Sequence, residues 1–184
     1  MIEINIPISD ETIGSLNMGD MVYLSGKIYT ARDVAHKKLT TIIESGEKPP
    51  FDFKGQAVFY AGPAPAKPGK PIGSVGPTTA GRMDLYSPFL ISHGLKIMIG
   101  KGFRSKEATE AIVKHRGIYF AAIGGIAALM AKCVKSSRLI AFEELGTEAI
   151  RELEVERFPL VVAIDSQGRN LYERGRLEYC RVMS

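Results

Sequence analysis

Three cations in this sequence, Arg32, Arg82 and Lys101, stand where local structure alone gives little reason for a charge. Lys101 lies between two glycines in IGKGFR, directly after a run that reads as a buried strand. Such a position offers a point charge to an anionic ligand. Arg82 closes the stretch VGPTTAGRMD, whose glycines let backbone approach a ligand and whose Thr78 and Thr79 supply hydroxyls. Its guanidinium is a planar fork suited to a carboxylate or phosphate. Arg32 sits in YTARDVAHKK, in the first turn of a predicted helix, where a cation opposes the macrodipole unless an anion is near. His36 follows four residues on, on the same helix face, and an imidazole titrating near neutrality suits a proton carrier. Plainer roles exist for each: a solvated loop lysine, a threonine cap, an arginine paired with Asp33 or another carboxylate, a solvated or capping histidine.

Other chemistries find no pattern. Five residues separate Gly94 from Gly100, one too many for a P-loop, and Gly102 replaces the magnesium-binding hydroxyl. No Ser-His-Asp order, HExxH or paired-cysteine metal site is present. Two cysteines, Cys133 and Cys180, and three histidines fall short of the usual thiolate set for a cubane iron-sulfur cluster, so a cluster would have to be carried by another chain. The balance of 24 Lys plus Arg against 20 Asp plus Glu gives net +4 and a pI near 9.0, but the excess is dispersed. Lys37 and Lys38, and Lys132 with Lys135 and Arg138, lack the interleaved aromatics of a nucleic-acid surface. Glu143 and Glu144 read as a solvated strand-end pair, and Gly124 and Gly125 as packing glycines. MIEINIPISDET has no basic or apolar leader, and no apolar run is long enough to span a bilayer. The expectation is a soluble cytoplasmic protein with reduced thiols, without nucleic-acid or membrane partners.

The elements that must position these residues follow from periodicity. At 184 residues the chain reads as one domain, 1–184. MVYLSGKIYT, 21–30, alternates as a half-buried strand with Gly26 as a bulge. Thr30 is the expected N-cap of the next helix, with Asp33 completing a variant capping box and Gly46 ending the apolar stripe. QAVFYAG, 56–62, reads as a buried strand running into the proline-rich loop PAPAKPGKP. From Ile72 the pattern becomes strand, glycine turn, helix, repeated: IGSV into GPTTAGRMD, LKIMIG into KGFRS, and IYFAAIG into IAALMAKCV, with RLIAFEE and FPLVVAID as further strands. This predicts an α/β fold with a mainly parallel sheet and right-handed crossovers. Turns after parallel strands share one edge, where residues distant in sequence converge on a ligand. The residues by themselves indicate a site for a small dianion and name no reaction.

The segments YLSGKIYTARDVAHKK, FYAGPAP, SVGPTTAGRMD, IGKGFRS, FAAIGGIAAL, ELGTEAI and FPLVVAIDSQGRNLY, in this order, resemble the beta subunit, equivalently the C-terminal domain, of class I fumarases and L-tartrate dehydratases. The resemblance covers nearly the whole chain. It implies a swivelling β/β/α fold and a hydro-lyase whose 4Fe-4S cluster is held by an alpha subunit, the open iron acting as Lewis acid on the substrate hydroxyl and carboxylate. It further implies Arg32, Arg82 and Lys101 as ligands of the dicarboxylate substrate, with Thr78 or His36 as the group that takes the proton. Ala80 to Asp84 and GKGFRS are more similar to the fumarase form, so fumarate and malate lead over L-tartrate. A stand-alone dicarboxylate-binding module is the competing class, and self-association of the isolated chain stays open.

Overall fold

The computed structural model describes residues 1–122 and 125–179. Within them the strands are β1 (Ile2–Asn5), β2 (Met21–Thr30), β3 (Ala57–Phe59), β4 (Ile97–Gly100), β5 (Ile118–Ala121), β6 (Val134–Ala141) and β7 (Ile150–Ile164). The helices are α1 (Asp10–Ser15), α2 (Asp33–Glu44), α3 (Ser87–Ser92), α4 (Lys106–Lys114), α5 (Ala127–Lys132) and α6 (Leu171–Tyr179). Short 3-10 turns cover Ala80–Met83 and Glu143–Glu148. No helix among the described residues is long and apolar enough to cross a membrane.

The two longest strands form the spine. β2 and β7 pair antiparallel from Met21 opposite Val161 to Thr30 opposite Arg151, with the register slipping at Gly26. The bulge expected there is present, at φ +113, with Ile6 too close for a side chain to fit freely. Each spine strand lends its other edge to two shorter ones. β1 and β3 run parallel along β2, while β5 and β6 run antiparallel along β7. β4 lies between β3 and β5, parallel to both. The series β2-β3-β4-β5-β7 therefore closes into a barrel-like ring.

This corrects the expectation of a mainly parallel sheet. Four ladders are parallel and three antiparallel, so the sheet is mixed. The parallel pattern holds from β1 to β5, where helices or longer excursions join the strands. β6 reaches β7 through the short turn at Glu143–Glu148, and β7 begins well before FPLVVAID. Its first half, IRELEVER, alternates charged residues with buried Leu153 and Val155, the pattern of an antiparallel strand with one wet face.

Parity divides the core. Ala57, Phe59, Ile97, Ile99, Ile118 and Phe120 point into the ring, where Phe59 meets Phe158 edge to face at 5.4 Å. Val58, Tyr60, Met98 and Tyr119 point outward against Leu39 of α2, Leu90 of α3 and Ile112 of α4. Because β3, β4 and β5 are covered on both faces, they read in the sequence as continuous apolar runs.

Two local expectations fail for identifiable reasons. Thr30 caps no helix: its hydroxyl donates to the Ala149 carbonyl at 3.4 Å and accepts from the Arg151 amide at 3.1 Å, binding β2 to β7. Arg32 takes the N-cap position instead, without a side-chain cap bond. Ile72–Val75 forms no strand; its amides go to the Ala64 and Ala127 carbonyls in an irregular loop. Pro88 falls in the first turn of α3, which starts at Ser87, where its missing N–H has no intrahelical partner to lose.

Candidate active site

The C-terminal ends of β2, β3 and β4 deliver Arg32, the turn Tyr60–Gly62 and Lys101 to one edge of the ring. The long loop after Gly62 then returns to the same edge. The Thr78 amide donates to the Tyr60 carbonyl at 2.6 Å, the Lys101 amide to Thr78 at 3.4 Å, and the Ala80 amide to Lys101 at 2.8 Å. Thr78–Ala80 is thereby laid alongside Lys101 as an extra strand-like segment.

Glycines flanking Lys101 have separate reasons. A Cβ on Gly100 would lie 2.9 Å from Tyr60 Cδ2 and 3.2 Å from the Ala80 Cβ, so close packing excludes a side chain. Gly102 has φ +80, a left-handed backbone that costs other residues energy. Its amide donates to Tyr172 Oη at 2.9 Å and its carbonyl accepts from Tyr119 Oη at 3.1 Å. The turn is pinned on both sides while the Lys101 side chain stays exposed, without an ion-pair partner among the described residues. Thr78 is half-buried, and no side-chain bond engages its hydroxyl among those residues. Thr79 precedes the 3-10 turn but does not cap it.

The arginines share a carboxylate. Arg82 Nη2 donates to Asp33 Oδ2 at 2.7 Å, and Arg32 Nε lies 3.8 Å from Asp33 Oδ1. Glu148 backs Arg32 from the other side, with Oε1 3.0 Å from Nη2. Gly62 makes room for this: a Cβ there would stand 3.3 Å from Arg32 Cδ and 2.8 Å from the Thr147 carbonyl. Arg32 Nε, Asp33 Oδ1 and Glu148 Oε2 are buried without hydrogen-bond partners. Of these three only Arg32 Nε can donate to an anion; the two carboxylate oxygens accept only, and call for a proton donor instead. The plainer reading of Arg32 as paired with Asp33 or another carboxylate is thus realised.

Of the five residues singled out in the sequence, four lie at this edge: Thr78 and Lys101 are joined by a backbone bond, and Arg32 and Arg82 meet through Asp33. His36 lies beneath it. It is fully buried beneath Arg32, its Nδ1 donating to the Arg32 carbonyl at 2.8 Å and its ring edge-on to Tyr60 at 5.1 Å. Burial, with the nearby Arg104 charge adding to it and the bond to Arg32 opposing, lowers its pKa to about 4. It is a neutral imidazole at pH 7, with Nε2 lacking a partner.

Sequence reasoning passed over Arg104, Asp84 and Glu148. Arg104 and Asp84 lie within three residues of Lys101 and Arg82, and their side chains are 0% and 7% exposed, so they form an ion pair behind the site. Glu148 carries no local signal, since its contact with Arg32 exists only in the fold. Glu144 is exposed and paired with Lys38, the solvated role expected of it. Gly125 has φ +84 and open space around it, so its backbone conformation and not packing calls for glycine; Gly124 lies outside the described residues.

The side chains here do not fit an iron-sulfur cluster. Among the described residues no group of three or more His, Cys, Asp or Glu could hold a metal ion. Cys133 lies between α5 and β6 with its thiol pKa raised by burial, and Cys180 is outside the described residues.

Residues 1–175 match the family described as Fumarase C-terminus. The chain belongs to this family. Among its relatives, "Fumarate hydratase 2" of Leishmania major is 44% identical over 159 residues, covering 85% of this chain and 28% of its own length. "Fumarate hydratase class I, anaerobic" of Escherichia coli K12 is 45% identical over 153 residues, 82% of this chain and 28% of its own. This chain therefore spans under a third of those hydro-lyases. A Methanocaldococcus jannaschii protein, provisionally named L(+)-tartrate dehydratase subunit beta, is 42% identical over 172 residues, covering 90% of this chain and 88% of its own. The family relationship embraces both kinds of relative.

Proposed function

We propose that this chain is the beta subunit of a two-subunit class I fumarate hydratase, hydrating fumarate reversibly to L-malate in a site completed by an alpha subunit that carries the 4Fe-4S cluster. The observation that carries the reading is the convergence of Arg32, Arg82, Lys101 and the Thr78 hydroxyl on one strand-end edge, with Arg32 Nε left as an unpaired donor among the described residues. Arg32 and Arg82 bind substrate carboxylate as forks, and Lys101 adds a mobile charge. Thr78 takes the proton from carbon as hydroxide leaves in the dehydration direction. A neutral hydroxyl is a weak base, so this role draws on the surrounding cations or on a partner-chain group to stabilise the oxyanion. His36 is the less favoured acceptor because its ring is sealed under Arg32. Leu85 and Phe103, 82% and 59% exposed, stand in the same two turns as Arg82 and Lys101 and form an apolar rim that the alpha subunit would cover.

A second reading, beta subunit of an L-tartrate dehydratase, is favoured by the relative whose length this chain matches at 88%. Kinetics of the pair reconstituted with its alpha subunit separate the two. A higher specificity constant on L-malate is expected; a higher one on L-tartrate establishes the second reading in its place.

A further inference from the structure

Arg104 is an anomaly for a stability argument. Its side chain is wholly buried, its guanidinium lies 5.0 Å from the Tyr119 ring centre and 5.5 Å from that of Tyr60, and Nη2 has no hydrogen-bond partner. Burying an ion pair gains little over apolar packing, so such a pair is retained for what it specifies. What it specifies here is visible in its connections. Arg104 Nε donates to Asp84 Oδ1 at 2.7 Å, and Asp84 Oδ2 accepts from the Ser105 amide at 2.5 Å. Asp84 follows Arg82 by two residues and Arg104 follows Lys101 by three.

We propose that the buried Arg104–Asp84 pair is a positioning strut that fixes the turn carrying Arg82 against the turn carrying Lys101, and so sets the spacing of the two cations that receive the substrate dicarboxylate. This rests on the function proposed above. The tyrosine rings flank the guanidinium, and Tyr119 also holds the Gly102 carbonyl, so the strut is braced against the turn that carries Lys101. Neither Arg104 nor Asp84 needs to touch substrate. Small misplacements of binding groups are expensive in rate, on the order of a hundredfold for about 1 Å.

The test is the double variant Arg104→Met/Asp84→Asn, which removes both charges and keeps an oxygen for the Ser105 amide. Amide hydrogen exchange of the free chain reads the strut directly: the Ala80 and Lys101 amides should exchange roughly tenfold faster, while the melting midpoint stays within about 3 °C of wild type. With the alpha subunit, KM for malate should rise and kcat/KM fall by about tenfold or more. Wild-type exchange in the two turns, or faster exchange with wild-type kinetics, overturns the proposal. Should the double variant not fold, Arg104→Lys carries the test, because an ammonium cannot hold Asp84 and span both rings; wild-type exchange and kinetics in that variant overturn it as well. A wild-type pair inactive on dicarboxylates would refute the proposed function, whereas the exchange result would still decide whether the strut holds the turns.

Discussion

Asp33 stands between two arginines, and under the proposed function a substrate carboxylate would take over part of what it does. Arg82 Nη2 is 2.7 Å from Asp33, and only a second anion with two oxygens can use both forks at once. Arg82→Ala or Lys101→Ala in the reconstituted enzyme should therefore lower kcat/KM by at least about a hundredfold, roughly 2.7 kcal/mol of transition-state stabilisation. Steady-state kinetics check this, and wild-type values in either variant would remove that residue from the site. Arg82→Lys should be damaging too, because a point charge does not replace a fork. His36 makes a prediction about stability instead of rate. Its folded pKa of about 4 lies below its ordinary 6.5, so between these values the unfolded chain binds a proton that the folded chain excludes. The contribution is complete above pH 6.5 and is lost as pH falls toward 4, on the order of 3 kcal/mol. Melting midpoints of His36→Gln should show a flatter pH dependence across that window; an unchanged slope would contradict the buried neutral imidazole.

At the scale of elements, the site depends on how closely turns approach strands. Gly100 ends β4 against Tyr60, Ala80 and Tyr119 Oη, the last 3.3 Å from where a Cβ would sit. Gly100→Ala should cost about 1–3 kcal/mol by urea denaturation and displace Lys101 with it; full stability would show that the turn yields easily. The same closeness explains what the sequence reveals. β2 is legible end to end because one face is wet and the other dry; the turns of Thr78, Arg82 and Lys101 are marked in the sequence by glycines that allow close approach, and Arg32 by the start of a helix. Thr30 misleads, because a hydroxyl before an apolar stripe serves equally as a cap or as a cross-strand tie, and the choice is made by β7, far along the chain. The first half of β7 hides behind its charges for the same reason: its partners β2 and β6 decide that it is a strand. Glu148, Asp84 and Arg104 are charged residues whose burial exists only after folding.

For the molecule as a whole, the ring has a core on both of its faces, while the candidate site lies on one edge. Cations and a hydroxyl lie on an edge, the described residues offer no metal-binding group, and the chain spans under a third of the fumarate hydratases it matches. A scarcity of thiols that first looks like simple adaptation to a reducing compartment gains a second reason if the cluster resides in a partner. Under the proposed function this body would present its cationic edge to a separate half of the enzyme. The most direct measurement is malate dehydration, followed as fumarate absorbance, for this chain alone, for a cluster-loaded alpha subunit alone, and for the two mixed. Activity is expected only in the mixture, saturating as the chain is titrated into the alpha subunit; sustained hydro-lyase activity from this chain by itself, or a mixture no more active than its parts, would contradict the subunit assignment.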